Sequence, residues 1–185
     1  MRDKYEMQLR RLHAEMIEMG TMIEQAIETA IKALVAQDTE LAKKAIEADD
    51  AIDHQEREIE NLCLKLFLTQ QPVAGDMRNI SAALKMITDM ERIGDHASDI
   101  SELTLCMAGT PYIKKLENVQ QMAKETIVML VSSIEAYVNA DEKKAKSVIA
   151  HDDIVDGLFD TIKNELIAMI HDNPDDGEQA CDLLM

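Results

Sequence analysis

Residues 89–100 read DMERIGDHASDI, and four of these twelve side chains are carboxylates. Glu91, Asp95 and Asp99 follow at steps of four, so on a helix all three share one stripe. Asp49 and Asp53 make a second such pair, and Asp152 and Asp156 a third. Carboxylates one helical turn apart sit about 5–6 Å apart at Cβ and repel by a few tenths of a kcal/mol. A cation reverses that sign, because hard or borderline ions take carboxylate oxygens at about 2.0–2.5 Å. One helix supplies too few ligands, so a second helix must bring its own pair alongside. All-carboxylate sites accept Fe, Zn, Mn or Mg according to supply. The competing reading is a solvated acidic face, which a screened surface tolerates.

Gly94 lies among these acids, and in a helix interior it costs about 0.5–1 kcal/mol relative to Ala. Close approach of a neighbouring helix or an ion would justify it. His96 is a further candidate ligand, though a lone His is more often exposed or hydrogen-bonded. Arg92 is expected to pair with a nearby carboxylate. The chain has no Glu-x-x-His, no H-E-x-x-H, no P-loop, no G-x-S-x-G and no evident nucleophile–base pair. A non-enzymatic protein is expected.

Composition narrows the class further. The 185 residues include 36 acidic and 19 basic side chains, for a formal net charge of -17. That excludes the basic face a nucleic-acid binder needs and argues against broad contact with an anionic membrane. It suits cations or a basic protein partner. Aromatics make up 3% and there are 13 methionines, while Gly and Pro are sparse. Long helices packed by aliphatic side chains follow from that balance. Cys63, Cys106 and Cys181 are dispersed and form no C-x-x-C, as expected of thiols in a reducing compartment. The N-terminus has no apolar signal core, and no run of 18 apolar residues occurs, so a cytoplasmic protein is expected.

The elements that must position the acids are legible from periodicity. Leu9, Leu12, Met16, Met19, Ile23, Ala26, Ala30 and Ala33 alternate steps of three and four, which predicts one helix over residues 3–36. Asp38 is a good N-cap for a second helix running to Thr69. Pro72 breaks the chain, and Gly75-Asp76 opens a third helix that reaches Met107. Thr110 and Pro111 predict the start of a fourth helix over 111–139, with Thr110 as cap and Pro111 at its first position. A fifth covers 141–171, and a sixth starts near Glu178. The turn between the second and third helices lies about 20 residues after Asp53 and about 17 before Glu91. An antiparallel pair therefore brings Asp49/Asp53 and Glu91/Asp95 to similar height.

Shifting the chain by 103 residues superposes it on itself. Asp38, Ala42, Lys43 and Ile46 fall on Asp141, Ala145, Lys146 and Ile149; Asp49, Asp50 and Asp53 fall on Asp152, Asp153 and Asp156; Ile59 and Asn61 fall on Ile162 and Asn164. Nine identities in 24 ungapped positions far exceed chance. The chain reads as an all-α protein of two tandem three-helix bundles, 1–108 and 111–185. An acidic pair is retained in both copies.

QQPVAGDMRNI (70–80) followed by DMERIGDHASDI (89–100) resembles the PhoU family of phosphate-transport regulators. The resemblance covers essentially the whole chain and is weakest in the first and fourth helices. It implies two tandem three-helix bundles, a homodimer, and an accessory role with the high-affinity phosphate ABC transporter. Implied partners are the transporter's ATPase subunit and a sensor histidine kinase, through which the phosphate-starvation response is kept off. Membrane contact would be peripheral, through those partners. The resemblance also implies multinuclear metal sites. Carried onto this chain, they fall on Asp49/Asp53 and Glu91/Asp95 in the first bundle and on Asp152/Asp156 in the second. The alternative is a metal-binding or storage bundle with no signalling role. One departure stands out: aligning DLLM (182–185) with ALKM (83–86) puts a second ERIGDH-like run about five residues beyond Met185. The last helix of the second bundle is therefore expected to be incomplete, and that bundle marginally stable unless a partner covers its open side.

Overall fold

A computed structural model describes residues 2–69 and 74–185. Six α-helices follow one another, and no strand occurs among these residues: α1 Arg2–Ala36, α2 Thr39–Thr69, α3 Ala74–Met107, α4 Glu117–Val138, α5 Glu142–Asp172 and α6 Gly177–Asp182. A short 3-10 turn, Pro174–Asp176, leads into α6. Pro72, the predicted break, lies outside the described residues.

The repeat is structural as well as sequential. α2 and α5 are each 31 residues long, and their bounds differ by the same 103 positions. Asp38 Oδ1 accepts from the Leu41 N–H at 3.0 Å, and Asp141 Oδ1 from the Lys144 N–H at 3.0 Å. The residue before each cap is left-handed, Gln37 at φ 52° and Ala140 at φ 51°. The Asp38 N–H reaches back to the Ala33 carbonyl and the Asp141 N–H to the Ala136 carbonyl, closing the preceding helix in the same way. This six-to-one bond with a left-handed residue is the Schellman arrangement, which uses carbonyls a helix end leaves free.

The first unit packs by its heptad. Leu12, Met16, Met19, Ile23 and Ala30 of α1 are fully buried, with Ile52, Ile59 and Leu66 of α2 and Ile80, Ala83 and Ile87 of α3 around them. Each large aliphatic side chain buried this way contributes about 1.5–3 kcal/mol relative to exposure. The same cluster includes Leu130 and Ile134 of α4, so the second unit is rooted in the first core. Gly20 permits that crossing, since a Cβ there would run into the Ile134 Cδ1 methyl. The rest of the second unit has a small core in which Ile162 and Leu166 of α5 meet Ala180 of α6.

The expected helix start at Pro111 is not what forms. α4 begins at Glu117, with Leu116 at its N-cap position and no side-chain cap. Residues 110–116 are held by other bonds instead. Gln37 Nε2 donates to the Thr110 carbonyl at 2.7 Å, the Tyr112 hydroxyl donates to the Leu34 carbonyl, and the Ile113 N–H donates to Gln179 Oε1 at 2.7 Å. Lys114 pairs with Glu165, and Leu116 packs with Leu34 and Met107. These long-range bonds join the end of α1, α5 and α6 to the connector, and they outweigh the local preference for Pro at a first helical position.

Candidate metal centre

The antiparallel pairing of α2 and α3 brings Asp53, Glu91 and Asp95 together. One carboxylate oxygen from each lies within 4.8 Å of the others, and all three side chains are half-buried. Oxygens bound to a single hard ion at about 2.0–2.5 Å are at most about 4–5 Å apart, so a small closing movement of these side chains would bring all three to one ion. Asp49, one turn before Asp53, points the same way. Its Oδ1 is buried without a hydrogen-bond partner and would lie 3.7 Å from a Cβ built on Gly94. An unpartnered buried carboxylate oxygen costs free energy unless something supplies positive charge. The donor set, all oxygen and all acidic, suits such an ion.

Gly94 has its reason here. A Cβ would meet Ile52 Cδ1 and Cγ2 at 3.1 Å each, so the glycine lets α3 settle on α2 and draws the acids close. Electrostatics record the crowding. Burial, with Asp95, Asp53, Asp50 and Asp99 around it, holds the Asp49 carboxyl above the usual range. Burial, then Asp95, Glu56, Asp53 and Asp49, does the same to Glu91. Arg57 offsets part of the charge by donating to Asp53 Oδ2 at 2.9 Å.

Other candidates lie apart. Asp99 is exposed, and His96 Nδ1 lies 3.5 Å from its Oδ2. His96 faces solvent and is not in the cluster. Asp152 and Asp156 are both exposed, and no second acidic pair meets them among the described residues. Helix α6 packs on the Ile162–Leu166 end of α5 through Ala180.

Sequence reasoning missed Glu56. Burial, with Glu60 and Asp53 nearby, pushes its carboxyl up. The signal was present, since 49, 53, 56 and 60 continue one helical stripe by steps of four and three. It also missed the His151–Glu125 pair, half-buried at 2.7 Å, which ties α5 to α4 beside Asp152.

The PhoU domain family matches residues 16–104 and 119–185, one match per repeat. A protein of Clostridium acetobutylicum named phosphate-specific transport system accessory protein PhoU homolog is 38% identical over 170 residues, covering 91% of this chain and 78% of that one. A protein of the same name from Aquifex aeolicus is 34% identical, covering 90% and 76%. The crystal structure of PhoU from Pseudomonas aeruginosa superposes with a TM-score of 0.91 at 26% identity, over 97% of this chain and 87% of that one. With both halves matched, the helical repeat shared and the acidic stripes in place, the chain belongs to the PhoU domain family.

Proposed function

We propose that this protein is a non-enzymatic accessory component of high-affinity phosphate transport. In this reading it works in the cytoplasm, contacts the transporter's ATPase subunit and a sensor histidine kinase, and keeps the phosphate-starvation response off when phosphate is sufficient. It acts as a homodimer. The observation that carries the reading is the match of both repeats, at up to 38% identity, to proteins named as transport accessory proteins. Helix packing by itself says only that the chain is a bundle.

Within that role, Asp53, Glu91 and Asp95 hold a divalent or trivalent metal ion, with Asp49 as a fourth donor. The ion would cancel the repulsion among these carboxylates and fix the spacing of α2 against α3. No particular metal is favoured, since Fe, Zn, Mn and Mg all accept such a donor set. Because occupancy would change both the local charge and the rigidity of this face, metal supply could tune which partner surface it presents.

The first experiment is elemental analysis of the purified protein by plasma mass spectrometry, beside Glu91→Ala/Asp95→Ala. Stoichiometric metal lost in the double variant supports the site. Absence from both, after incubation with Mn, Fe or Zn, leaves the acids as solvated surface. Capture of the transporter ATPase or the kinase cytoplasmic domain then separates regulator from storage protein. A storage protein retains metal and captures neither.

A further inference from the structure

Helix α4 is fastened to the first unit near both of its ends. Before its start, the connector is bonded to the end of α1 through Gln37 and Tyr112. At its finish, Ile134, Tyr137 and Val138 pack against the first core, and Ile134 lies over Gly20. Tyr137 holds this second attachment together. Its ring meets the His13 imidazole of α1 edge to face, with centroids 5.5 Å apart and planes at 76°. Its hydroxyl donates to the Asn79 carbonyl of α3 at 2.9 Å. One side chain thus ties the last turn of α4 to two helices of the first unit. The chain turns directly after it: the Ala140 N–H returns to the Tyr137 carbonyl at 3.1 Å, and α5 follows.

Histidine is the side chain that changes charge near neutral pH. The titratable groups around His13 come from four helices. On α1, Arg10 stands one turn before it, with Glu6 and Tyr5 two turns before. Cys63 of α2 and Asp76 of α3 lie at the same end, beside Tyr137 and Tyr5 respectively. Glu135, on α4, is engaged by Lys144. Burial, with Cys63 and Tyr5 nearby, holds the Tyr137 hydroxyl above its ordinary range. Burial, with Asp76, pushes Tyr5 up to about 12, and burial pushes the Cys63 thiol up to about 11, so these three stay neutral. Burial lowers the His13 pKa, and no charge counters it. An imidazolium here has to regain water, and Arg10 adds like charge at i, i+3 spacing.

We propose that His13 and Tyr137 form a pH-sensitive latch between the two repeats. Protonation of His13 in mild acid frees the last turn of α4 from α1 and α3, and the corner between α4 and α5 swings about the connector. The connector holds through that range. Its bonds come from the Gln37 amide and the Tyr112 hydroxyl, which burial keeps above its ordinary range, and Lys114 keeps the Glu165 carboxyl below the usual one. His151 pairs with Glu125 inside the second unit and moves with it. The folded chain takes the His13 proton less readily than the unfolded chain does. The latch is therefore at full strength above the ordinary imidazole value of about 6.5, weakens as pH falls past it, and is lost below the lowered folded value. This device is separate from the metal centre and from the transport reading.

The test is hydrogen exchange of the full chain at about pH 7.5 and about pH 5.5, corrected for the intrinsic pH dependence of exchange. Protection over residues 131–138 should fall about threefold or more in acid relative to residues 59–66 of the first core. In His13→Phe, which keeps an aromatic ring and never charges, the fall should be less than about 1.5-fold. His13→Gln gives the same comparison should Phe not fit, and circular dichroism verifies that each variant keeps its helix content. Tyr137→Phe, without the bond to Asn79, should lower protection over 131–138 at both pH values. Four results overturn the proposal: the same acid response in the parent and the His13 variants, an equal loss over 59–66, unchanged protection in Tyr137→Phe, or protection over 131–138 that rises in acid. The last would mean that the tyrosine ring holds the imidazolium more tightly than the neutral ring.

Discussion

The two repeats begin alike and differ in the neighbours of their acidic stripes. α2 and α5 share length, capping aspartate and a left-handed residue before the cap, and each carries D-D-x-x-D in its first half. In the first unit α3 lies along that stripe, Asp53 meets Glu91 and Asp95, and Ile52 is sealed. In the second, Asp152 and Asp156 face solvent, and α6 touches only the far end. The lesson concerns what a repeated motif can mean. A pair of carboxylates on one helix is half a site, and the first unit shows how a facing helix brings in the other half.

The widest gap between the units should appear in their cores. Ile59 and Ile162 are equivalent by the repeat and nearly equally buried, at 0% and 3% exposure. Ile59 lies inside the large cluster, whereas Ile162 has only Leu166 and Ala180 as fully buried neighbours in its cluster. Ile59→Ala should cost about 3–4 kcal/mol and Ile162→Ala about 2, because the looser site collapses more readily. Urea unfolding measures both, and hydrogen exchange should find α5 less protected than α2. Equal costs and equal protection would erase the contrast.

The glycines sharpen it. Gly94→Val drives a branched side chain into Ile52 and should cost about 2–3 kcal/mol. Gly157, on α5, has nothing within 4 Å of where a Cβ would stand, so Gly157→Ala should gain about 0.5–1 kcal/mol. Thermal melts of the two variants should therefore move in opposite directions.

Charge gives a smaller effect. In metal-free protein Asp49→Asn removes a crowded carboxylate and should stabilise by about 0.5–1 kcal/mol, while exposed Asp152→Asn should do almost nothing. The pH dependence has a definite sign. Asp49 and Glu91 have raised folded-state pKa values, so the folded chain binds their protons before the unfolded chain does. The cost of their ionisation is present at neutral pH, shrinks as pH falls through the raised values, and is gone below the ordinary carboxylate value near about 4. The advantage of Asp49→Asn over the parent, followed by melting from pH 7 to pH 4, should accordingly disappear.

The smallest effect separates the two left-handed turn residues. Ala140→Gly relieves a strained φ and should gain about 0.5 kcal/mol after the added unfolded-state entropy. Gln37→Gly relieves the same strain but loses the side-chain bonds to the Met107 and Thr110 carbonyls, at 3.3 and 2.7 Å, and should destabilise. Matching signs in the two melts would show that the connector contributes little.

Much of this was readable from the chain. The step of three and four in Leu12, Met16, Met19 and Ile23 gave α1 and its buried face, since a 3.6-residue period leaves few other ways to bury such a stripe. Asp38 and Asp141 marked helix starts through their own side-chain chemistry. The acids of the first unit were legible because their distances from one turn were similar. Glu56 escaped because it follows Asp53 by three residues, outside the four-residue pairing that marks the other acids. The late start of α4 escaped because Thr-Pro is a local signal, whereas Tyr112, Ile113 and Lys114 bond to residues 51 to 78 positions away.

By itself, then, the sequence determined the helices, their repeat and the stripes on which the acids lie, all of which follow from side-chain period and capping within a few turns. Only the tertiary structure decided which stripes meet. Convergence of Asp53 with Glu91 and Asp95 depends on how closely α3 approaches α2 over Gly94, and exposure of Asp152 depends on what packs against α5. Those are distances between elements far apart along the chain, which no local period encodes.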